Sequence, residues 1–336
     1  MLFDARPIHW RGAGDRGVDI APASVTATGK TTKVIFTDCA TGRDYVFLIA
    51  SRRQQSTFLL RNMLWLLVAI AVGMIIVERL WPAMELPRVR AWWARVALVN
   101  FIQLGIIILA GQAWDRWFAN LSLIRLRDHI GNVPSAVIAY LVSTFVYYWW
   151  HRVRHESRWF WLLCHQLHHS PRRIETVTAF YKHPLEITIN SLLSSAIVYV
   201  LLGCSVTAGS YYTILTAVAE YFYHWNIRTP HWLGFLVQRP EAHRIHHKHK
   251  HHTNNFADLP MWDMLFKTFD NPKRFDATCG FDDWREDRFD DILGFRDVNK
   301  AGIEDVPPLH LLPTCIGCGK RWACQESRQR AKQTPQ

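Results

Sequence analysis

The stretch from Trp150 to His169 reads W-H-R-V-R-H-E-S-R-W-F-W-L-L-C-H-Q-L-H-H and follows directly on a long apolar run. It places five histidines within twenty residues: His151, His155, His165, His168 and His169. On a helix, positions three and four apart share a face, so His151 and His155 point at one centre, as do His165, His168 and His169. That is metal-ligand spacing. It returns as His243, His246 and His247 in H-R-I-H-H, again beside apolar sequence. One such triplet arises by chance; three clusters mark a site. Neutral imidazole suits iron, zinc, copper or nickel. Eight imidazoles exceed the four ligands usual for zinc and the roughly six that iron accepts, so two metal ions are the economical expectation.

The apolar run before His151, Val133 to Trp150, has about the length that crosses a bilayer, where roughly twenty residues are needed. Thr57 to Glu78 and Val96 to Ala113 precede it, and Ile187 to Leu202 and Val206 to Tyr223 follow. The expected fold is therefore an all-α integral membrane domain. About four or five transmembrane or membrane-embedded helices carry, on the cytoplasmic side, a cap of shorter helices that bears the histidines. Two crossings between residues 187 and 223 return the chain to the side it left, as bringing His243 to His151 requires. Arg79, Arg88, Arg90 and Arg95 place the loop after the first span in the cytoplasm. Three full crossings then put the N-terminus outside, against the preference of Arg52, Arg53 and Arg61, and these two counts conflict. Tyr147 to Trp150, Trp159, Trp161, Tyr221, Tyr223 and Trp225 sit where interfacial aromatic belts are expected.

Outside the spans the chain is polar, so 49 % hydrophobic residues coexist with a mean hydropathy near zero. The formal net charge is +11, with basic residues crowded near the histidines and the span ends. That distribution suits an anionic leaflet, and the spans argue against nucleic-acid binding. Three parts are expected: a polar N-terminal segment over 1–55, a membrane-embedded domain over 56–270 and a polar C-terminal tail over 271–336. In the first, Thr32 to Thr37 and Tyr45 to Ile49 flank a turn-like Ala40-Thr41-Gly42 and read as a small β-hairpin. Residues 1–53 are charged throughout and lack the apolar core of a cleavable signal peptide. Seven cysteines suggest no disulfide framework, and Cys164 and Cys204 read as small hydrophobes. In the tail, Cys315, Cys318 and Cys324 resemble part of a zinc knuckle, which lacks a fourth ligand unless His310 or Cys279 joins.

These motifs together resemble the fatty acid hydroxylase and sterol desaturase superfamily of integral-membrane di-iron oxygenases. H-x3-H, H-x2-H-H and a later H-x2-H-H carry the resemblance over roughly 136–270. It extends to Y-Y-W-W-H-R before the first cluster, H-H-S after the second, Lys182-His183-Pro184, His224-Trp225-Asn226 and W-D-M-L-F-K-T from Trp262. It implies two iron ions with dioxygen as co-substrate, held by the eight clustered histidines with His183 and His224 as further ligands. It implies hydroxylation of an acyl lipid, sterol or aminolipid, with desaturation at the same site as the alternative. Multi-pass insertion in a bacterial inner membrane or endoplasmic reticulum, with the metals facing the cytoplasm, follows from the same likeness. Ala257 and Lys267 depart from it, standing where glycine is common.

No catalytic residue is identified beyond the metal centre. No fused haem, nucleotide or iron–sulfur signature is visible, so electrons are expected from a separate ferredoxin or cytochrome with its reductase. Glu156, Glu175, Glu186, Glu220, Glu241 and Asp263 are candidates to hold the outer ring nitrogens, and Asn226 to position a metal-bound water. Asn255 with Asp263 belongs to the third motif. His249, His251 and His252 in K-H-K-H-H-T read as solvated or headgroup-facing, and His9, His129 and His231 have no partner at ligand spacing. A rival of another class, a histidine-rich metal transporter, places ligands within spans rather than at their ends.

Overall fold

The computed structural model describes residues 64–309 in full, except 112, 114–116, 119–120 and 252; before residue 64 it describes only the backbone of four strands and of 52–63. The chain divides into a unit over residues 1–66 and a larger one over 67–336. The first holds an antiparallel sheet in the order β1 (Ile8–Trp10), β2 (Val18–Thr28), β3 (Thr31–Asp38) and β4 (Asp44–Ala50). The expected hairpin is its β3–β4 pair, with Thr37 opposite Asp44 and Thr32 opposite Ile49. Two further strands precede it, which their Pro, Ala and Ser content hid from pattern reading.

Among its described residues the regular elements of the second unit are helices, joined by loops that include an isolated bridge between Lys248 and Cys279. Helices α1 (Arg52–Leu80), α2 (Trp92–Gln112) and α3 (Asn132–Glu156) are followed by α4, a short helix over 158–169. Next come α5 (Pro184–Ser195), prolonged by a π turn over Ala196–Leu201, and α6 (Val206–His224). The short α7 (Pro240–His246) and α8 (Pro260–Leu265) complete the framework around the histidines. Among the described residues three helices are long and apolar enough to cross a membrane: Trp92–Gly111, Asn132–Glu156 and Pro184–Leu201. The last expected span coincides with α6, but Thr, Ser and Glu220 dilute its apolar character and it is not among the three.

The packing is that of a membrane protein, with apolar residues outside and polar ones within. On α3, Ser135, Ala139, Ser143 and Thr144 are buried while Val137, Leu141 and Phe145 face outward. Small inward residues let α3 approach α6, whose Ala208 and Tyr212 share one buried cluster with Ala136 and Ala139. Gly209 is required there, because a Cβ would lie 2.3 Å from the Tyr199 hydroxyl. The loop between α2 and α3 pairs with the α5–α6 corner through Leu123 N–H to Val200 O and Leu126 N–H to Leu202 O. At the opposite end, the loop after α1 joins the end of α6, with Ala83 N–H bonded to Asn226 O. The histidine-bearing helices share that second end.

Two expectations change. Of the aromatics assigned to an interfacial belt, Tyr148 and Tyr223 are buried, and Tyr147 and Trp150 are tied to α5 through Asn190. Trp159 remains largely exposed. The described part of the segment expected as a polar tail is core: Phe281, Phe289, Ile292 and Val298 pack with Trp92, Val96, Leu167 and Tyr181. Its apolar residues are spaced singly among acidic ones, which conceals their inward face. Cys164, Cys204 and Cys279 are buried free thiols. Cys315, Cys318, Cys324 and His310 lie outside the described residues.

Candidate metal centre

Nine histidines converge at the end of the bundle in two groups. His151, His155, His165, His169 and His246 form one, and His168, His224, His243 and His247 the other, with one ligand nitrogen from each residue within 4.8 Å of the rest of its group. Helical spacing explains the assignment. The pairs His151/His155 and His165/His169 are four apart and face the first group, while His243/His247, also four apart, face the second. His168 and His246, each three residues into its motif, swing to the opposite group. The expectation that His165, His168 and His169 share one centre is corrected here: a step of three turns the side chain away from the line of a step of four. A π turn over Trp161–His165, just ahead of the α-helical turn Gln166–His169, sets the rotation of α4. The groups adjoin where the rings of His169 and His247 stack at 4.2 Å.

His183 is brought to neither group. It caps α5, its Nδ1 accepting from Leu185 N–H at 3.1 Å and its Nε2 donating to Leu293 O at 3.3 Å. Pro184 at the first helical turn explains the motif as a helix start. His231 donates to Asn271 O, and His249 faces Gly280 O and Asp282. His251 contacts Thr253 and Asn254. The side chains of His9 and His252 lie outside the described residues.

Four outer nitrogens are held as metal-binding imidazoles are. His151 Nδ1 donates to Phe256 O at 2.7 Å, His246 Nδ1 to Asn254 O at 2.7 Å and His224 Nδ1 to Glu220 O at 2.8 Å. His165 Nδ1 donates to the Glu186 carboxylate at 3.2 Å. Each leaves Nε2 for the interior. Of the candidate carboxylates, then, only Glu186 reaches a clustered imidazole directly among the bonds described. Glu175 joins Arg79, Arg173 and Trp92, Glu241 joins Thr229, and Glu156 lies on the surface with Arg152. Asp263 acts one step away, accepting from Phe256 N–H at 2.8 Å and Ala257 N–H at 3.0 Å and so fixing the strand of chain whose carbonyl holds His151. Asn226 does not face the interior. It clamps Met84 and accepts from buried Arg244 at 2.7 Å. Asn255 bonds Ala242 O and Asp270 O.

Arg154 is a participant that motif reading passed over. It is buried, ion-paired with Glu186 and 3.1 Å from His165 Nδ1. Its position three residues after His151 put it on the inner face in plain view. The segment 278–298 was missed as well. Phe281 N–H bonds Ser170 O, Gly280 N–H bonds His247 O and Gln166 Nε2 donates to Arg296 O, so this segment clasps both H-x2-H-H motifs.

Three observations fit a metal. Among the described residues the buried Nε2 of His151 has no hydrogen-bond partner, a situation that costs about 1–3 kcal/mol unless something else is bound. The Nε2 atoms of His165 and His169 are 3.2 Å apart, those of His224 and His243 3.2 Å and those of His243 and His247 3.1 Å. Nitrogens about 2.1 Å from a shared ion stand about 3.0 Å apart in an octahedron and about 3.4 Å in a tetrahedron. Finally, burial first, and neighbouring cationic groups second, hold His165, His168, His169 and His243 well below the usual imidazole range. They are neutral at pH 7, the form that coordinates. A five-imidazole group exceeds the tetrahedral set of structural zinc and leaves room for iron.

Residues 136–268 match the family model for fatty acid hydroxylase. The ornithine lipid hydroxylase OlsE of Rhizobium tropici is 30 % identical over 149 residues, 43 % of this chain and 44 % of that protein. Alkylglycerol monooxygenase of Homo sapiens is 30 % identical over 138 residues, 39 % of this chain and 30 % of that protein. The very-long-chain aldehyde decarbonylase GL1-7 of Oryza sativa subsp. japonica is 27 % identical over 168 residues, 46 % of this chain and 24 % of its own length. The matched part thus spans less than half of each relative. No solved structure matches the chain.

Proposed function

We propose, from the premise that residues 136–268 of this membrane protein are a fatty acid hydroxylase domain, that the chain is a di-iron, dioxygen-dependent lipid hydroxylase. The observation that carries the reading is the pair of imidazole groups, five and four, closing on one another at the ends of apolar helices. Two relatives, by name a lipid hydroxylase and a monooxygenase, support the reaction class.

His151, His155, His165, His169 and His246 would hold one iron, and His168, His224, His243 and His247 the other. When bound, the pair supplies the activation of dioxygen needed to oxidise an unactivated C–H bond. The protein's own part is positioning. Carbonyls of Phe256, Asn254 and Glu220, with the Glu186 carboxylate, fix the imidazoles of His151, His246, His224 and His165 so that little rearrangement accompanies reaction. The Glu186 carboxylate, ion-paired with buried Arg154, accepts from His165 Nδ1 and so keeps the proton on that nitrogen. Outward apolar faces of α2 and α3 let an acyl or sterol substrate approach from the bilayer. In this reading the protein is multi-pass, and the basic loop after α1, at the histidine end of the bundle, puts that end in the cytoplasm. Reducing equivalents come from a separate ferredoxin or cytochrome with its reductase.

The reading is tested by supplying the purified, iron-loaded chain with a membrane lipid extract, a reducing system and isotope-labelled dioxygen. A lipid that gains one labelled oxygen atom is expected. Loss of two hydrogens with no label would replace hydroxylation by desaturation, and no change in any lipid would remove the oxygenase reading.

A further inference from the structure

Helix α8 follows the third histidine motif, yet it is tethered to the middle of α3 and not to the end that bears His151 and His155. Trp262 Nε1 donates to the hydroxyl of buried Thr144 at 3.0 Å. Thr144 stands twelve residues from either end of α3 (Asn132–Glu156). It precedes His151 by seven residues, about 10 Å along the helix axis. The Trp262 ring also meets Phe145 edge-on at 4.9 Å, and Phe266 meets Trp149 at 4.8 Å. Since α3 is long and apolar enough to cross a membrane, α8 lies alongside a span, below the level of the histidines.

The two sides of α8 differ. On the outer side Met261 is 50 % exposed and Leu265 64 %, and Met264 is exposed beside them. They continue the outward line of Leu141, Phe145 and Trp149 on α3, which are exposed too. On the inner side three buried polar side chains, Gln238, Asn255 and Asp263, satisfy the irregular backbone around the helix. Asp263 accepts from Phe256 N–H, Ala257 N–H and the Thr268 hydroxyl. The Asn255 amide donates to Ala242 O and Asp270 O, and that of Gln238 to Asn255 O. Non-helical backbone persists at membrane depth only where protein groups supply its hydrogen bonds. A turn facing water needs no such set, because water itself serves.

We infer that the outer face of α8 is immersed in the bilayer against lipid acyl chains, the helix entering the leaflet from the histidine end without crossing it. An exposed apolar face of this kind marks either a membrane contact or a protein contact. Its depth at Thr144 and its continuity with the outward face of α3 select the membrane. The inference needs the membrane fold and not the oxygenase reading. Its consequence still reaches the candidate metal centre. The Phe256 carbonyl holds His151 Nδ1, and Asp263 on the inner side of α8 holds Phe256 N–H. Lipid therefore seats the helix that positions His151.

Photo-crosslinking of the full chain tests this. The photoreactive residue p-benzoylphenylalanine replaces Met261, Leu265, Leu141 or Lys300, one at a time, and each variant is irradiated in nanodiscs of phosphatidylcholine and phosphatidylglycerol tritiated in their acyl chains. Leu141, exposed on α3, reports acyl-chain contact, and Lys300, exposed in a turn just past Val298, reports the aqueous side. All four side chains are exposed, so the probe displaces no core packing. Labelled lipid is expected to attach at Met261 and Leu265 as strongly as at Leu141, and not at Lys300. Absence of lipid from Met261 and Leu265 while Leu141 is labelled would overturn the inference, as would attachment to a second copy of the chain in place of lipid, and either would make this face a protein-docking surface. Equal labelling at Lys300 would overturn it as well. No lipid at Leu141 would count against the membrane fold itself.

Discussion

His168 and His169 are consecutive in the chain and face different histidine groups. The His168 ring lies 4.8 Å from that of His247, and the His169 ring 4.5 Å from that of His155. His246 and His247 repeat the arrangement in reverse, His246 at 4.6 Å from His155 and His247 at 4.7 Å from His243. Each H-x2-H-H motif thus gives a pair to one group and a single residue to the other. The two groups form as one unit, because α4 and α7 each belong to both.

Glu186 links this unit to the buried framework. Glu186→Gln keeps the shape, removes the charge opposite Arg154 and weakens the hold on His165. Metal affinity is expected to fall about 10- to 100-fold, and stability by about 3 kcal/mol, since a buried arginine is left without its partner. Chelator competition and thermal unfolding measure the two effects. Unchanged values in both would show that the pair does not orient His165.

Gly280 is where the clasp touches both motifs. Its φ is +74°, and a Cβ would lie 2.3 Å from Pro171 O. Gly280→Ala is expected to cost more than about 2 kcal/mol, from left-handed strain and overlap together. Iron content should drop with it, because Gly280 N–H bonds His247 O. A variant with wild-type melting temperature would contradict the clasp.

Lys267 occupies the left-handed region at φ 62°, just past α8. Glycine is the residue that accepts this conformation at a helix end without a Cβ penalty. Lys267→Gly is expected to stabilise by about 1 kcal/mol, a rise of about 2–4 °C in melting temperature. A fall would mean that the lysine side chain makes a compensating contact.

Asp263 gives a pH dependence with a definite sign. Burial pushes its carboxyl from 3.8 up to about 6. A carboxyl raised on folding favours the folded state when protonated, so its contribution is fully present below the unfolded value and is lost as pH rises through about 6. Two pH units correspond to about 3 kcal/mol. Asp263→Asn does not titrate, so its destabilisation relative to wild type is expected to shrink between pH 4 and pH 7 in unfolding measurements at a series of pH values. A gap that widens over that range would reverse the assignment.

The histidine clusters and three apolar helices were legible because both depend on spacing alone: ligands four apart share a face, and apolar runs of sufficient length have one interpretation. His183 misled for the opposite reason. Its neighbour Pro184 makes H-P a helix start, and a capping histidine looks the same in sequence as a ligand. The assignment of His168 and His246 to the opposite groups follows from their offset of three rather than four within each motif, and for His168 the π turn in α4 adds a rotation that no residue pattern announces. The clasp from 278 to 298 was invisible because it works mainly through backbone groups.

The central claim is that two ions are held by separate but interlocked imidazole groups. Iron per chain, measured by elemental analysis on the purified protein, tests it in wild type and in two double variants with far-ultraviolet circular dichroism as the folding check. His165→Ala with His169→Ala removes ligands of the first group only, and His243→Ala with His247→Ala removes ligands of the second only. Two irons in wild type and one in each folded double variant are predicted. Retention of both irons in either folded variant, or fewer than two in the loaded wild type, would contradict the account.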